Sequence, residues 1–299
     1  MIKPNRFIIV SNENATKLQK DNSAERLKKT IYDPLMKYDR PIIDLMQPTD
    51  DVLFDTLEPN DLLISCGGDG TVNWLANSAI RISMEDKIGL LPQPFGGMND
   101  ISSTLYGKKS IDSILEKGTL TSAYTIEATH YYQDNTFKTI NALGYIGIGA
   151  SGLAANAVNT NSVSAHQKIS DVSTAAKAII NNPKPFSYYD ENNKEKQAYE
   201  LLTMKTRMAG FVTPKHPLVF EEAFYFIRPK SRIAALGHLG LGIFSRAGYG
   251  SVQTENFLAS ITPNETIYMQ ADGEDTVVQP HETVTIKSGK PISVVRAGK

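Results

Sequence analysis

Over roughly the first 120 residues, short apolar runs alternate with segments of helical period, a pattern that demands a parallel sheet covered by helices on both faces. Residues 6–10, 41–45, 61–65 and 88–92 read as buried strands. Residues 24–37 read as a helix with Leu27, Ile31 and Leu35 on one face, and residues 71–80 as another with Val72, Leu75, Ala76 and Ala79. Further helices are expected from Asp100 and over 110–117, the latter stopped by Gly118. Near residue 120 the pattern changes. Segments 124–130, 136–143, 200–206, 223–227, 266–270 and 283–286 are β-rich and lack regular intervening helices. Helical patterns interrupt them only at 169–181 and 232–244, and 190–194 reads as a polar hairpin tip. The expectation is an N-terminal α/β domain over 1–122, joined by the C-terminal segment 288–299, and a mainly antiparallel second domain over 123–287.

Composition removes several function classes. The chain has 299 residues, 31 Lys+Arg against 32 Asp+Glu, and a formal net charge of −1, which argues against a nucleic-acid binder working through bulk positive charge. Hydrophobic content of 41% with 21% charged residues is that of a folded globular protein. One cysteine cannot form an intrachain disulfide. There is no signal-peptide pattern, and no apolar run reaches the roughly 18 residues of a membrane-spanning helix. The cytoplasm is therefore the expected location.

The strongest chemical feature is Gly67-Gly68-Asp69-Gly70-Thr71, set between a buried strand and a helix. Glycines let the backbone approach a ligand closely, and the following helix aims its free N–H groups at the turn, which suits a phosphate. Asp69 would fit there by holding Mg²⁺; the alternative is a tight turn with Asp69 as a cap. A second glycine turn, Pro94 to Asp100, also follows a strand and opens a helix. Neighbouring parallel strands bring such turns to one carboxyl edge, where ligands bind. Asn99 and Asp100 read as helix caps or as contacts to ribose, phosphate or a metal-bound water. The third feature is Asp272-Gly273-Glu274, either a solvated hairpin turn or a carboxylate that accepts a hydroxyl proton.

Other chemistries find no support in the sequence. No two histidines stand at zinc-ligand spacing, Cys66 has no partner, and both Gly-x-Ser-x-Gly and the Walker loop are absent. Cys66 reads as a small buried apolar residue. Residues 144–152 superficially suggest a dinucleotide loop, but their frame is wrong, and they read as a loop packed against other backbone.

Together, Gly67 to Asn73, Leu91 to Asp100 and Asp272 to Glu274 resemble the diacylglycerol kinase catalytic family, which includes bacterial lipid kinases, sphingosine kinases and ceramide kinases. The likeness runs from the first strand to the C-terminus, with Gly147 and Gly149 at the family's glycine motif and segments 217–226 and 231–236 matching later ones. It implies a three-layer α/β/α nucleotide-binding domain like that of phosphofructokinases and NAD kinases, followed by an antiparallel β-sandwich. It implies transfer of the ATP γ-phosphoryl group to a lipid hydroxyl with Mg²⁺, at the inner membrane surface, by a peripheral protein that could be a homodimer. Carried over, Asn12, Gly67, Gly68, Asp69, Gly70, Thr71, Gly96, Asn99 and Asp100 bind the nucleotide. Glu274 is the general base, with Asp272 and Asp69 beside it in catalysis. Asp69, Asp100 and Asp272 serve the metal, and Glu222 stands at a structural metal site.

The chain departs from the family at several points. Gly97 replaces a threonine, Glu13 and Thr16 replace a proline and a glycine after Asn12, Tyr124 and Ser151 replace aspartates, and Glu222-Ala223 replace an Asp-Gly. The alternatives are a catalytically impaired relative that binds nucleotide or lipid, or an NAD kinase.

Overall fold

The computed structural model describes residues 2–15, 17–19, 22–96, 99–161, 174, 177, 185–205, 224–227, 251–254, 258–272 and 274–298. Thr16, Gly97, Glu222 and the helix read over 232–244 lie outside them, as do all but residues 174 and 177 of the helix read over 169–181. The chain forms two compact units, Met1–Tyr124 with Pro291–Lys299, and Thr125–Lys290.

In the first unit, β1 (Phe7–Ser11), β2 (Ile42–Met46), β3 (Leu62–Gly67) and β4 (Gly89–Pro94) are parallel, in the order β2-β1-β3-β4. The end of the chain's last strand joins them, Val294 pairing in parallel with Leu90. Every residue of β1 and β3 is buried, as a sheet covered on both faces requires. Phe7, Ile8, Ile9, Leu63, Ile64, Leu90 and Leu91 have no exposed surface, and each such side chain contributes roughly 1.5–3 kcal/mol.

The helix expected at 24–37 is a broken run: α1 (Ser23–Leu27), a π-helical turn Lys28–Tyr32, α2 (Asp33–Leu35) and a 3₁₀ turn Met36–Tyr38. Pro34 accounts for the break, because it has no N–H for the preceding turn and its ring crowds that turn's carbonyl. The sequence pattern gave no sign of α3 (Asp50–Thr56), capped by Thr49, whose hydroxyl accepts from Val52 N–H at 3.5 Å. Helices α4 (Asp69–Arg81), α5 (Asp100–Tyr106) and α6 (Ile111–Lys117) stand where expected.

The strand order places the topological switch between β1 and β3. From β1 the chain moves outward to β2, then crosses back to β3 and on to β4. Right-handed crossovers therefore put successive helices on opposite faces. The carboxyl ends of β1 and β3 flank the crevice where such sheets bind ligands.

The second unit is antiparallel. It contains most of β5 (Thr119–Tyr131), then β6 (Phe137–Ala142), β7 (Tyr145–Gly149), α7 (Ala150–Asn161), β8 (Phe186–Asp190), β9 (Glu195–Ala198), β10 (Glu200–Met204), β11 (Phe224–Ile227), β12 (Ser251–Thr254), β13 (Leu258–Ile261), β14 (Ile267–Ala271), β15 (Glu274–Val278) and most of β16 (Thr283–Arg296). One sheet has the order β12-β11-β10-β7-β14-β15; the other contains β5, β6, β8, β9, β13 and β16. A single buried cluster draws on both sheets, including Ile126, Ile146, Ile148, Tyr188, Leu201, Met269, Val284 and Ile286. The fold is thus the expected α/β domain followed by an antiparallel β-sandwich. The polar tip at 190–194 joins β8 to β9 as a hairpin.

Residues 145–152 are not a loop but β7 and the start of α7. Their glycines mark close approaches. A Cβ on Gly147 would lie 2.3 Å from Ser151 Oγ, and one on Gly149, at φ +84°, would lie 2.5 Å from the Tyr199 carbonyl oxygen. The helix folds straight back onto its own strand, which side chains at these positions would prevent.

Candidate active site

In the first unit, Asn12 follows β1 across the switch point from the turn that follows β3. Its backbone N–H donates to the Cys66 carbonyl at 3.2 Å and its side-chain Nδ2 to Thr71 Oγ1 at 3.0 Å. Asn12 Oδ1 accepts from Asn14 N–H at 2.9 Å and lies 3.4 Å from Gln47 Nε2. Gln47, just after β2, is a polar side chain of this edge that motif reading missed; its signal is its place at a strand's carboxyl end.

Gly67 ends β3, Gly68 is the N-cap of α4, and Asp69, Gly70 and Thr71 form its first turn. The N-cap of α4, Gly68, offers no side-chain acceptor, and an uncapped helix N-terminus suits an anion. The second turn packs against the first. Phe95 and Gly96 N–H groups both donate to the Gly67 carbonyl, at 3.1 and 2.9 Å. Gly96 N–H donates to Asn99 Oδ1 at 2.8 Å, and Asn99 Nδ2 returns to the Gly96 carbonyl at 2.7 Å. Asn99 therefore uses its carboxamide to close its own turn, in the left-handed conformation (φ 59°), rather than to cap α5.

The cap of α5 comes from Asp69. Its two carboxylate oxygens accept from the backbone N–H groups of Asp100 and Ile101 at 2.8 and 3.2 Å. Burial pushes the Asp69 carboxyl above its usual range, and the two N–H groups pull it partly back. Asp100 is buried at the first position of α5. Lys17 ties the segment after β1 to the same turn, its N–H donating to Phe95 O at 2.9 Å and its Nζ to Pro94 O at 2.5 Å. Cys66 is buried, as expected, and burial pushes its thiol up.

The structure thus brings Asn12, Gly67, Gly68, Asp69, Gly70, Thr71, Gly96, Asn99 and Asp100 to one carboxyl edge.

Asp272 and Glu274 belong to the second unit. Asp272 follows β14 and Glu274 opens β15, and Ala271 pairs with Glu274. Asp272, at φ 45°, is not solvated: it has no exposed surface. Its carboxylate accepts from Leu143 N–H (2.6 Å), Gly144 N–H (2.9 and 3.0 Å) and Tyr145 N–H (2.7 Å). Glu274 is exposed at the first position of β15. Among the described residues no three His, Cys, Asp or Glu side chains form a cluster that could hold a metal ion. Tyr124 is 48% exposed, and Ser151 lies in the first turn of α7.

Comparison with known proteins finds likenesses to diacylglycerol and lipid kinases. Residues 6–130 match the diacylglycerol kinase catalytic domain. A Staphylococcus carnosus (strain TM300) protein named "Putative lipid kinase" is 31% identical over 142 residues, which span 47% of this chain and 43% of that protein. Among solved structures, "A putative diacylglycerol kinase from Bacillus anthracis str. Sterne" superposes with a TM-score of 0.68 at 17% identity, covering 99% of this chain and 97% of that one. Another diacylglycerol kinase structure from the same strain gives 0.67 at 15% identity, covering 98% and 97%. These two likenesses concern the fold. The similarity to the diacylglycerol kinase catalytic domain extends over residues 6–130, less than half of the chain.

Proposed function

We propose that the protein is an ATP-dependent lipid kinase. The observation that carries this reading is the paired glycine turns at the switch point, beside an α4 N-terminus whose N-cap glycine offers no side-chain acceptor, inside the segment that matches the kinase family. The nucleotide phosphates lie on Gly67 to Thr71 and on Gly96, where backbone N–H groups and the helix dipole offset their charge. Asn12 faces the nucleotide. Glu274 accepts the proton of a lipid hydroxyl, whose oxygen attacks the γ-phosphorus as the bond to the bridging oxygen of ADP breaks. Asp272 supports Glu274 by fixing the turn that carries it.

The family implies a divalent metal, and the described residues do not fit a preformed site for one. They offer no cluster of three ligating side chains, and the Asp69 carboxylate already accepts two backbone N–H groups. The reading therefore routes no step through a metal held by Asp69, Asp100 or Asp272.

The acceptor is a lipid with a free hydroxyl, such as a diacylglycerol or a sphingoid lipid. With a net charge of −1 and no helix among the described residues long and apolar enough to cross a membrane, the protein meets its substrate through a local and transient contact.

The test is phosphate transfer from radiolabelled ATP to a panel of diacylglycerol, ceramide and sphingoid base, with NAD as a further acceptor. Wild type should label a lipid and Glu274→Gln should lose at least 100-fold in kcat. Labelling of NAD alone would make the protein an NAD kinase. ATP binding without transfer to any acceptor would make it a catalytically impaired relative.

A further inference from the structure

We infer that Asp69 is a positioning residue that joins the two glycine turns into one phosphate cradle, and that any divalent metal arrives on the nucleotide rather than on this carboxylate. The inference rests on the nucleotide-binding reading above but is separable from it.

A helix leaves its first N–H groups without intrahelical partners. In α5 the first backbone bond of the helical pattern runs from Ser103 N–H to Asn99 O, at 3.0 Å. The N–H groups of Asp100 and Ile101 precede it, and Asn99, at the cap position, spends its side chain on Gly96. Asp69 supplies the missing acceptors from another helix, more than 30 residues earlier in the chain. A carboxylate at a helix N-terminus is also favoured by the helix dipole.

Two further ties make this a weld and not a lone contact. Phe95 and Gly96 N–H groups hold the second turn to the Gly67 carbonyl. Gly96 approaches Gly68 so closely that a Cβ on Gly96 would lie 2.3 Å from the Gly68 Cα. The strand ends, the two turns and the first turns of α4 and α5 are therefore fixed together by Gly67 O, the Gly68–Gly96 contact and Asp69. Of these, Asp69 alone holds α5.

In kinase sites Mg²⁺ is held by one or two carboxylates together with substrate phosphates and water. Mg²⁺ requires oxygens at about 2.0–2.1 Å in near-octahedral array. A cation at Asp69 would share the carboxylate with two aligned backbone donors, and without nucleotide phosphates no group of three ligating side chains stands there among the described residues to complete its shell.

The experiment combines three readouts on wild type and Asp69→Asn. Amide hydrogen exchange should show Asp100 and Ile101 protected in wild type and at least 10-fold faster in the variant, with the strand amides of β1 and β3 unchanged. Electron paramagnetic resonance should show no Mn²⁺ held by wild type without ATP up to millimolar concentration. Calorimetry should show ATP affinity falling about 10-fold in Asp69→Asn, with the Mn²⁺ affinity of the ATP-loaded protein within twofold of wild type. Mn²⁺ bound by wild type without nucleotide and lost in Asp69→Asn would overturn the inference, as would unchanged exchange at Asp100 and Ile101. A wild type that binds no ATP would overturn the kinase reading, while the exchange and Mn²⁺ measurements would still decide the role of Asp69. The wild-type Mn²⁺ titration stands even if the variant does not fold.

Discussion

Gly68 and Gly96 meet backbone to backbone, and the meeting is asymmetric. A Cβ on Gly96 falls 2.3 Å from the Gly68 Cα and 2.9 Å from its nitrogen, whereas one on Gly68 falls 3.3 Å from the Gly96 Cα and meets nothing closer. Gly96→Ala must therefore separate the two turns, at a cost typical of overpacking, about 1–3 kcal/mol. Gly68→Ala needs only a shift of a few tenths of an ångström. The melting temperature should fall clearly for Gly96→Ala and little for Gly68→Ala, and ATP binding by calorimetry should be lost in the first and retained, though weakened, in the second. Equal behaviour of the two variants would mean that the turns do not form one unit.

The entry to the α/β sheet is held by a different pair. Asp61 has no exposed side-chain surface and accepts from Arg6 Nε at 2.9 Å, Arg6 Nη2 at 2.6 Å and Glu58 N–H at 2.8 Å. Arg6 is itself 18% exposed. Without Asp61, Arg6 keeps Glu58 Oε1 at 3.0 Å and the Thr56 carbonyl at 2.8 Å, so the loss is that of charge-assisted hydrogen bonds, about 1.5–3 kcal/mol. Asp61→Ala should lower urea stability by nearly that amount. The exposed pair Lys29–Glu25, one helical turn apart, should change stability by less than about 0.5 kcal/mol when Lys29 is replaced by Ala.

Glu200 sets a pH dependence in the second unit. It is buried at the start of β10 opposite Gly149, and burial pushes its carboxyl from 4.5 up to about 7, with the Ser151 hydroxyl pulling weakly the other way. The folded chain thus holds this proton more tightly than the unfolded one. Below about pH 4.5 both states are protonated and the group has no effect. As pH rises towards 7 the unfolded state loses the proton first, so stability falls, by about 3 kcal/mol in all, and then levels off. Glu200→Gln removes this slope. Urea titrations at pH 4 and pH 8 should show wild type losing about 3 kcal/mol more than Glu200→Gln across that interval; parallel losses would place the proton elsewhere.

Much of this was legible in the sequence because local pattern and long-range packing agreed. The runs at 6–10, 61–65 and 88–92 are buried strands because a parallel sheet covered on both faces needs uninterrupted apolar residues. The rule that parallel strands share a carboxyl edge was enough to bring Gly67 to Thr71 together with Gly96 to Asp100. What stayed hidden depended on contacts between distant segments. Gly147, Gly149 and Gly152 read as a loop because glycine breaks both periodicities, yet each is required where α7 folds back over β7 and β14. Asp69 read as a local cap or a metal ligand because its true partners, the N–H groups of Asp100 and Ile101, are backbone atoms that carry no signature. Short α3 was missed because seven residues give too few turns for a period to register.

Asp272 was open to two readings, a solvated turn or a working carboxylate, and its surroundings suggest a third test. Three consecutive N–H groups, those of Leu143, Gly144 and Tyr145, converge on its buried carboxylate. Those residues lead into β7, so the contact joins the start of that strand to the hairpin that presents Glu274. Truncation to alanine leaves the donors buried without their acceptor, at about 1–3 kcal/mol for each one unsatisfied. Asp272→Ala should therefore lose roughly 3 kcal/mol or more in urea unfolding. Asp272→Asn should lose about half as much, since asparagine tolerates the left-handed turn and keeps one acceptor oxygen. In both variants the amides of Leu143, Gly144 and Tyr145 should exchange faster before any other part of the sheet responds. If Asp272 acts on turnover only by holding Glu274 in place, Asp272→Asn should lower kcat in wild type and leave the residual rate of Glu274→Gln unchanged. An equal drop in both backgrounds would show that Asp272 contributes to catalysis independently of Glu274.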